Sequence, residues 1–237
     1  MTAGIVPPGA GPRAAPPTGA PGQVVADPSD PSDPSSSIVA SSGPTPVLVA
    51  RPRLAAGVVV VGCVLLEARG LLVQATPHPT AVLVAMFVTL GVVGLAWPIA
   101  ADPPGLAAER GWRPGWRRSV LVFGIGVAAF GVGRLVGGGH APVAATWSMV
   151  AANSLAAVAE EAFFRRLCFA VLVPAGAAWA VVGSAVLFAA VHLSTYGAWV
   201  LPLDLAAGLI LGWQRLAGGT WRVPALTHVL VNLAVLL

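Results

Sequence analysis

From Leu54 to the C-terminus the chain is a succession of apolar runs separated by short polar stretches. A bilayer core takes about 20 helical residues to cross, and the runs at 54–75, 80–100, 119–138, 143–172, 176–198, 200–216 and 222–237 are of that order. They predict an all-α, polytopic transmembrane helical bundle of about six to eight spans. Two runs are irregular. Glu67, Arg69 and Gly70 interrupt the first, which predicts a shortened or kinked helix. The fourth is too long for one upright span, and Pro174 predicts where it ends or bends. Gly208 with Gly212, and Gly133 with Gly137, have the four-residue spacing that lets helix backbones approach closely in lipid, so they read as packing positions.

Residues 1–50 break this pattern. They hold half of the chain's 22 prolines and a tandem Asp-Pro-Ser repeat at 27–35. Such a segment buries too little apolar area to offset its ordering entropy, and it predicts a disordered tail. The organisation is then a tail at 1–50, N-terminal helices and a loop at 51–117, and a C-terminal helical domain at 118–237.

Composition sharpens the class. The 237 residues carry 13 basic and 9 acidic side chains, whereas a soluble domain of this length would carry about 59 charges. An ordinary soluble enzyme is excluded. The net charge of +4 could suggest nucleic acid, but the arginines are grouped between apolar runs, so no nucleic-acid partner is expected and the bilayer is the partner instead. Arg51 and Arg53 precede the first run, and Arg110, Arg113, Arg117 and Arg118 fill the 101–118 loop. The connections at 76–79 and 139–142 have no arginine. This distribution predicts a multi-pass protein of the cell (plasma) membrane with a cytoplasmic N-terminus. The absence of lysine and the Ala, Gly, Val, Pro and Arg bias suggest a GC-rich bacterial genome. Cys63 and Cys168 stand alone in apolar surroundings and predict no disulfide. Most of the tryptophans flank spans, as interfacial anchors do.

The informative residues are those a membrane should exclude. Glu160 and Glu161 are adjacent within Ala159-Glu-Glu-Ala-Phe-Phe-Arg-Arg166, and an ionisable group near the bilayer centre costs about 2.5–3.5 kcal/mol on insertion scales. On a helix Glu161 and Arg165 are i,i+4 and predict an ion pair. Glu160, rotated by about 100°, has no such partner and is left free to act. His192 ends an uncharged run, and His228 and Asn232 share one face of the last helix. Each of these groups needs a polar partner, and a shared cavity is the cheapest way to supply one.

In such a cavity a glutamate can act as general base on water, with a histidine orienting that water or relaying its proton. A second histidine and an asparagine can stabilise the oxyanion formed when water adds to an amide. Glu160, His192 and His228 could equally bind a divalent metal such as zinc, with Asn232 outside the ligand set. The residues leave both open, and no cofactor is certain.

The order Glu160-Glu161-x-x-x-Arg165, Phe188-x-x-x-His192 and His228-x-x-x-Asn232 resembles the CPBP family, which comprises the type II CAAX prenyl endopeptidases and the bacteriocin-processing or ABI proteins. The resemblance covers roughly residues 118–237. It implies an intramembrane endopeptidase, described both as a metalloprotease and as a metal-free glutamate enzyme, acting on a membrane-associated or lipidated peptide or protein. Glu160 would be the water-activating base and His192 its partner. His228 and Asn232 would be the oxyanion-stabilising pair, and Glu161 and Arg165 structural. Arg166 stands where the family often has glycine, which bears on local packing.

One geometric condition follows. If 176–198 and 222–237 are upright spans, His192 and His228 could be offset by nearly 20 Å along the membrane normal at about 1.5 Å per residue. A shared site then requires the fifth helix to run past Tyr196, or the 200–216 segment to be tilted or partly re-entrant. Other protease signatures are missing: there is no HExxH, and Gly183-Ser184-Ala185 lacks the rhomboid-type glycine. Asp204 reads as a helix-start residue, Arg134 as snorkelling to the outer interface, and His78 and His140 as loop residues. The alternative function is a non-catalytic membrane scaffold or bacteriocin-immunity protein.

Overall fold

Proline in the first turn, where its missing N–H is not needed, opens three of the helices. The computed structural model describes residues 49–99, 115–136 and 145–236. Its helices are α1 (Pro52–Glu67), α2 (Arg69–Gln74), α3 (Pro79–Ala96), α4 (Trp116–Val136), α5 (Trp147–Glu161), α6 (Ala177–Ala190), α7 (Leu201–Gly218) and α8 (Arg222–Leu236). The chain is an all-α membrane bundle. Among the described residues, four helices are long and apolar enough to cross a bilayer: Pro79–Ala96, Trp116–Val136, Ala177–Tyr196 and Ala198–Gly218.

The irregular runs resolve in detail. The first is divided at Ala68, where ψ is −4°, so α1 and α2 are separate helices. The fourth begins with Thr146 capping α5 by accepting from the Met149 amide at 3.3 Å. Beyond Glu161 it widens into π-helical Ala162–Cys168 and returns to α geometry at Phe169–Leu172. The run ends in a tight turn around Pro174 and reverses at Gly176, whose φ of 120° suits glycine. The wide turn is a departure from the regular helix that the spacing predicts.

The proline-rich tail lies outside the described residues except for Val49 and Ala50. These two do not fit a disordered segment: Val49 is buried and bridges to Ile99, and the Ala50 amide donates to the Pro98 carbonyl at 3.1 Å. The loop arginines Arg110 and Arg113, together with Gly137 and His140, also lie outside the described residues.

The core sits on the wide turn. Phe163, Phe164, Leu167 and Cys168 pack with Leu66 of α1, Leu90 of α3 and Phe188 of α6. Outward positions such as Val61, Leu121, Ile125 and Val186 are exposed and apolar, as lipid-facing residues are. Trp116, Trp147, Trp179 and Trp199 are exposed close to helix ends. Arg166 has a structural task in place of the family's glycine: its guanidinium donates to the carbonyls of Gly94 and Trp97 at the end of α3. Gln214 ties α7 to its neighbours, donating to the Val122 carbonyl at 3.0 Å and to Thr227 Oγ1 at 2.9 Å.

Close approach is real at some glycines and absent at others. A Cβ on Gly208 would lie 2.9 Å from Ala185 Cα, and one on Gly212 would lie 3.1 Å from a Val181 methyl. Gly133 faces open space, which corrects its reading as a packing position. The tightest backbone contact is at Gly94, where a Cβ would come 2.6 Å from the Ala162 carbonyl. Because backbone cannot swing aside, Gly94→Ala should cost about 1–3 kcal/mol, while Gly133→Ala should stay within about 0.5 kcal/mol. Thermal unfolding of both variants in detergent measures the contrast.

Candidate active site

Glu160 and Glu161 end α5 inside the bundle, with 5% and 0% of their surface exposed. Glu161 Oε2 lies 3.4 Å from Arg165 Nε. Arg165 is itself fully buried, donates to the Gly208 carbonyl at 3.1 Å, and sits 4.7 Å from the centre of the Phe188 ring. The other Glu161 oxygen accepts from His228 Nδ1 at 3.0 Å. Glu161 therefore orients a histidine as well as pairing with an arginine.

That contact fixes the His228 ring and turns its Nε2 toward Glu160 Oε2, 3.9 Å away. His192 is fixed differently. Its Nδ1 donates to the Phe188 carbonyl at 2.7 Å, which leaves Nε2 with the lone pair when the ring is neutral. Both imidazoles pack on one phenyl ring, with centroids 4.8 Å (His192) and 5.8 Å (His228) from that of Phe188. Glu160, His192, His228 and Asn232 line a single cavity of about 810 Å³.

The condition set by the upright-span geometry is met in a way the sequence did not suggest. The fifth helix does not run past Tyr196. Regular helix stops at Ala190, a single turn follows at Leu193–Tyr196, and the chain reverses at Gly197 with φ of 83°. With 14 residues, α6 is only about 21 Å long. His192 at its end and His228 in the second turn of α8 thus reach the same phenyl ring.

Two readings need correction. Glu160 is not left without a charged partner, because Arg69 Nη1 of α2 lies 3.6 Å from its Oε1. Asp204 is in the first turn of α7, as a helix-start residue should be, but it is not alone. Its Oδ2 is 3.7 Å from His192 Nδ1, and it lines the cavity. Arg69 was hidden by its reading as a helix breaker. The cost of an ionisable group in an apolar span, which singles out Glu160, applies to Arg69 equally.

The donor set does not fit a zinc centre in this arrangement. One Glu160 oxygen faces an arginine, and His192 Nδ1 is committed to a carbonyl. No group of three His, Cys, Asp or Glu side chains among the described residues converges as a metal ion requires. The chemistry is accordingly built from the side chains alone.

Fold and site together define a multi-pass membrane protein with an acid–base cluster inside its helical bundle. Residues 142–234 match the family model of Rce1-like type II CAAX prenyl endopeptidases. This C-terminal part of the chain is a domain of that protease family, within the CPBP proteins. The match takes in Glu160, His192, His228 and Asn232 and does not reach Arg69. No curated protein and no solved structure matches the chain.

Proposed function

We propose that the protein is an intramembrane endopeptidase that hydrolyses a peptide bond in a membrane-associated substrate of the lipidated CAAX type, using water activated by Glu160. The observation that carries this reading is Glu160 Oε2 facing His228 Nε2 across 3.9 Å inside the cavity. Each of the two groups is anchored at its far end, Glu160 by Arg69 and His228 by Glu161. Glu160 takes a proton from water, and the hydroxide adds to the scissile carbonyl. His228 Nε2–H and the Asn232 amide donate to the oxyanion as it forms. When the C–N bond breaks, the proton held by Glu160 passes to the leaving amine, with His192 Nε2 placed to orient the water or relay that proton. The arginine distribution supports a plasma-membrane location with the N-terminus in the cytoplasm.

The Arg69–Glu160 ion pair favours one competing reading, a scaffold in which Glu160 braces the bundle. Purified wild type incubated with lipidated and unlipidated membrane peptides separates the two. The expected result is a defined cleavage near the C-terminus of a lipidated peptide. His228→Ala should lower the rate by about 10²–10³-fold, the usual cost of one oxyanion donor. Chelators should leave the rate within about twofold, since the donor set does not fit the tetrahedral zinc geometry. A scaffold would cleave nothing in the pool.

A further inference from the structure

Arg69 lies outside the family-matched segment and still reaches the centre of the site. Its Nη1 is 3.6 Å from Glu160 Oε1, its Nε donates to Thr195 Oγ1 at 3.0 Å, and its guanidinium carbon is 5.7 Å from the centre of the Tyr196 ring. Two residues earlier, the Glu67 carboxylate accepts from the Ser194 amide at 3.1 Å, and the Glu67 carbonyl accepts from Ser194 Oγ at 2.5 Å. In one continuous helix, residues two apart point about 200° away from each other. The break at Ala68 removes that divergence, so Glu67 and Arg69 grip the same turn, the one that follows His192.

A buried guanidinium is costly unless paired and hydrogen-bonded, and an apolar side chain would serve for packing alone. Arg69 is 7% exposed. Its planar fork is held at one edge by Thr195 and presents the other to the carboxylate. We propose that Arg69 is a positioning residue: it holds Glu160 through Oε1 so that Oε2 is aimed at the gap in front of His228 Nε2. The N-terminal helices α1 and α2 thereby complete the site of the C-terminal domain. This inference rests on the proposed role of Glu160 as general base.

The test uses Arg69→Met, which keeps the length and removes the charge, and Arg69→Lys, a point charge that cannot hold Thr195 and Glu160 together. Both are made in the full chain and checked for wild-type thermal stability. The first readout needs no substrate. Dicyclohexylcarbodiimide modifies protonated carboxyl groups in apolar surroundings, and its reaction with Glu160 is followed by mass spectrometry with Glu160→Gln as the blank. Arg69→Met should raise the labelling rate about tenfold, the equivalent of one lost charge-assisted hydrogen bond. Arg69→Lys should fall between it and wild type.

In cleavage assays Arg69→Met should lower kcat by about tenfold to a hundredfold with KM within about twofold, and Arg69→Lys should recover part of the loss. Unchanged labelling in Arg69→Met overturns the proposal. So does a rise in KM with kcat intact, which would make Arg69 a substrate-binding group. If Arg69→Met fails to fold, Arg69→Lys at wild-type kcat and labelling overturns it, and a reduced kcat at wild-type stability supports it. If wild type cleaves nothing, the protease reading falls, and the labelling alone decides whether Arg69 orders Glu160.

Discussion

Glu160→Gln should lower kcat by about 10²–10⁴-fold, the range that a positioned general base contributes, while the protein stays folded. Glutamine has the size of glutamate and keeps an oxygen for Arg69, but it cannot take the proton of water. The substitution therefore separates two roles that a deletion would confuse. In the wild type, Oε1 faces the Arg69 guanidinium and Oε2 faces His228. A brace needs the charge facing Arg69; a base needs the free oxygen. If Glu160 were a brace, Glu160→Gln would leave a buried arginine without its counter-charge, and stability would fall by about 3–5 kcal/mol with no cleavage activity to lose. Under the protease reading the rate collapses and the unfolding temperature moves little. Asp204→Asn is the useful companion. At 3.7 Å from His192 Nδ1, Asp204 touches a histidine whose ring is already fixed by the Phe188 carbonyl, so its effect on kcat should be much smaller. Product release by mass spectrometry and thermal unfolding on the same samples read both variants.

Much of this arrangement could be read from the sequence, because a membrane penalises polar groups so heavily that the few retained ones are informative. Run length located the helices, and the adjacent glutamates, two histidines and an asparagine on apolar runs marked the cavity that the bundle encloses. What escaped was tertiary. Arg69 and Glu160 are far apart in the chain, and nothing local to Arg69 says that a break at Ala68 turns it toward α5. The π-helical turn at Ala162–Cys168 was equally invisible, because i,i+4 spacing alone cannot tell a regular turn from a widened one. The expected offset between His192 and His228 came from treating each apolar run as an upright, full-length span. The run at 176–198 in fact ends its regular helix at Ala190. The last residues of the run form a separate turn whose polar atoms, on Ser194 and Thr195, are bound by the first span's own interruption.

The largest expected loss of stability follows from the other glutamate. Arg165→Met should destabilise the fold by about 3–5 kcal/mol, the cost of removing one partner from a buried ion pair. Arg165 and Glu161 are both fully buried, so the Glu161 carboxylate would be left with His228 as its remaining partner. The Gly208 carbonyl would also lose its donor where α7 makes its close approach to α6. Replacing both partners changes the balance, since an apolar pair of similar volume leaves no orphaned charge and is often near neutral. Glu161→Leu combined with Arg165→Met should therefore recover most of the lost stability in thermal unfolding. Activity should not return with it. Without the Glu161 carboxylate, His228 Nδ1 has lost the acceptor that turns Nε2 toward Glu160. Recovered stability with kcat still depressed would identify Glu161 as the group that orients His228. A double variant as active as wild type would reduce Glu161 to a packing role and leave His228 to be held by the Phe188 ring alone.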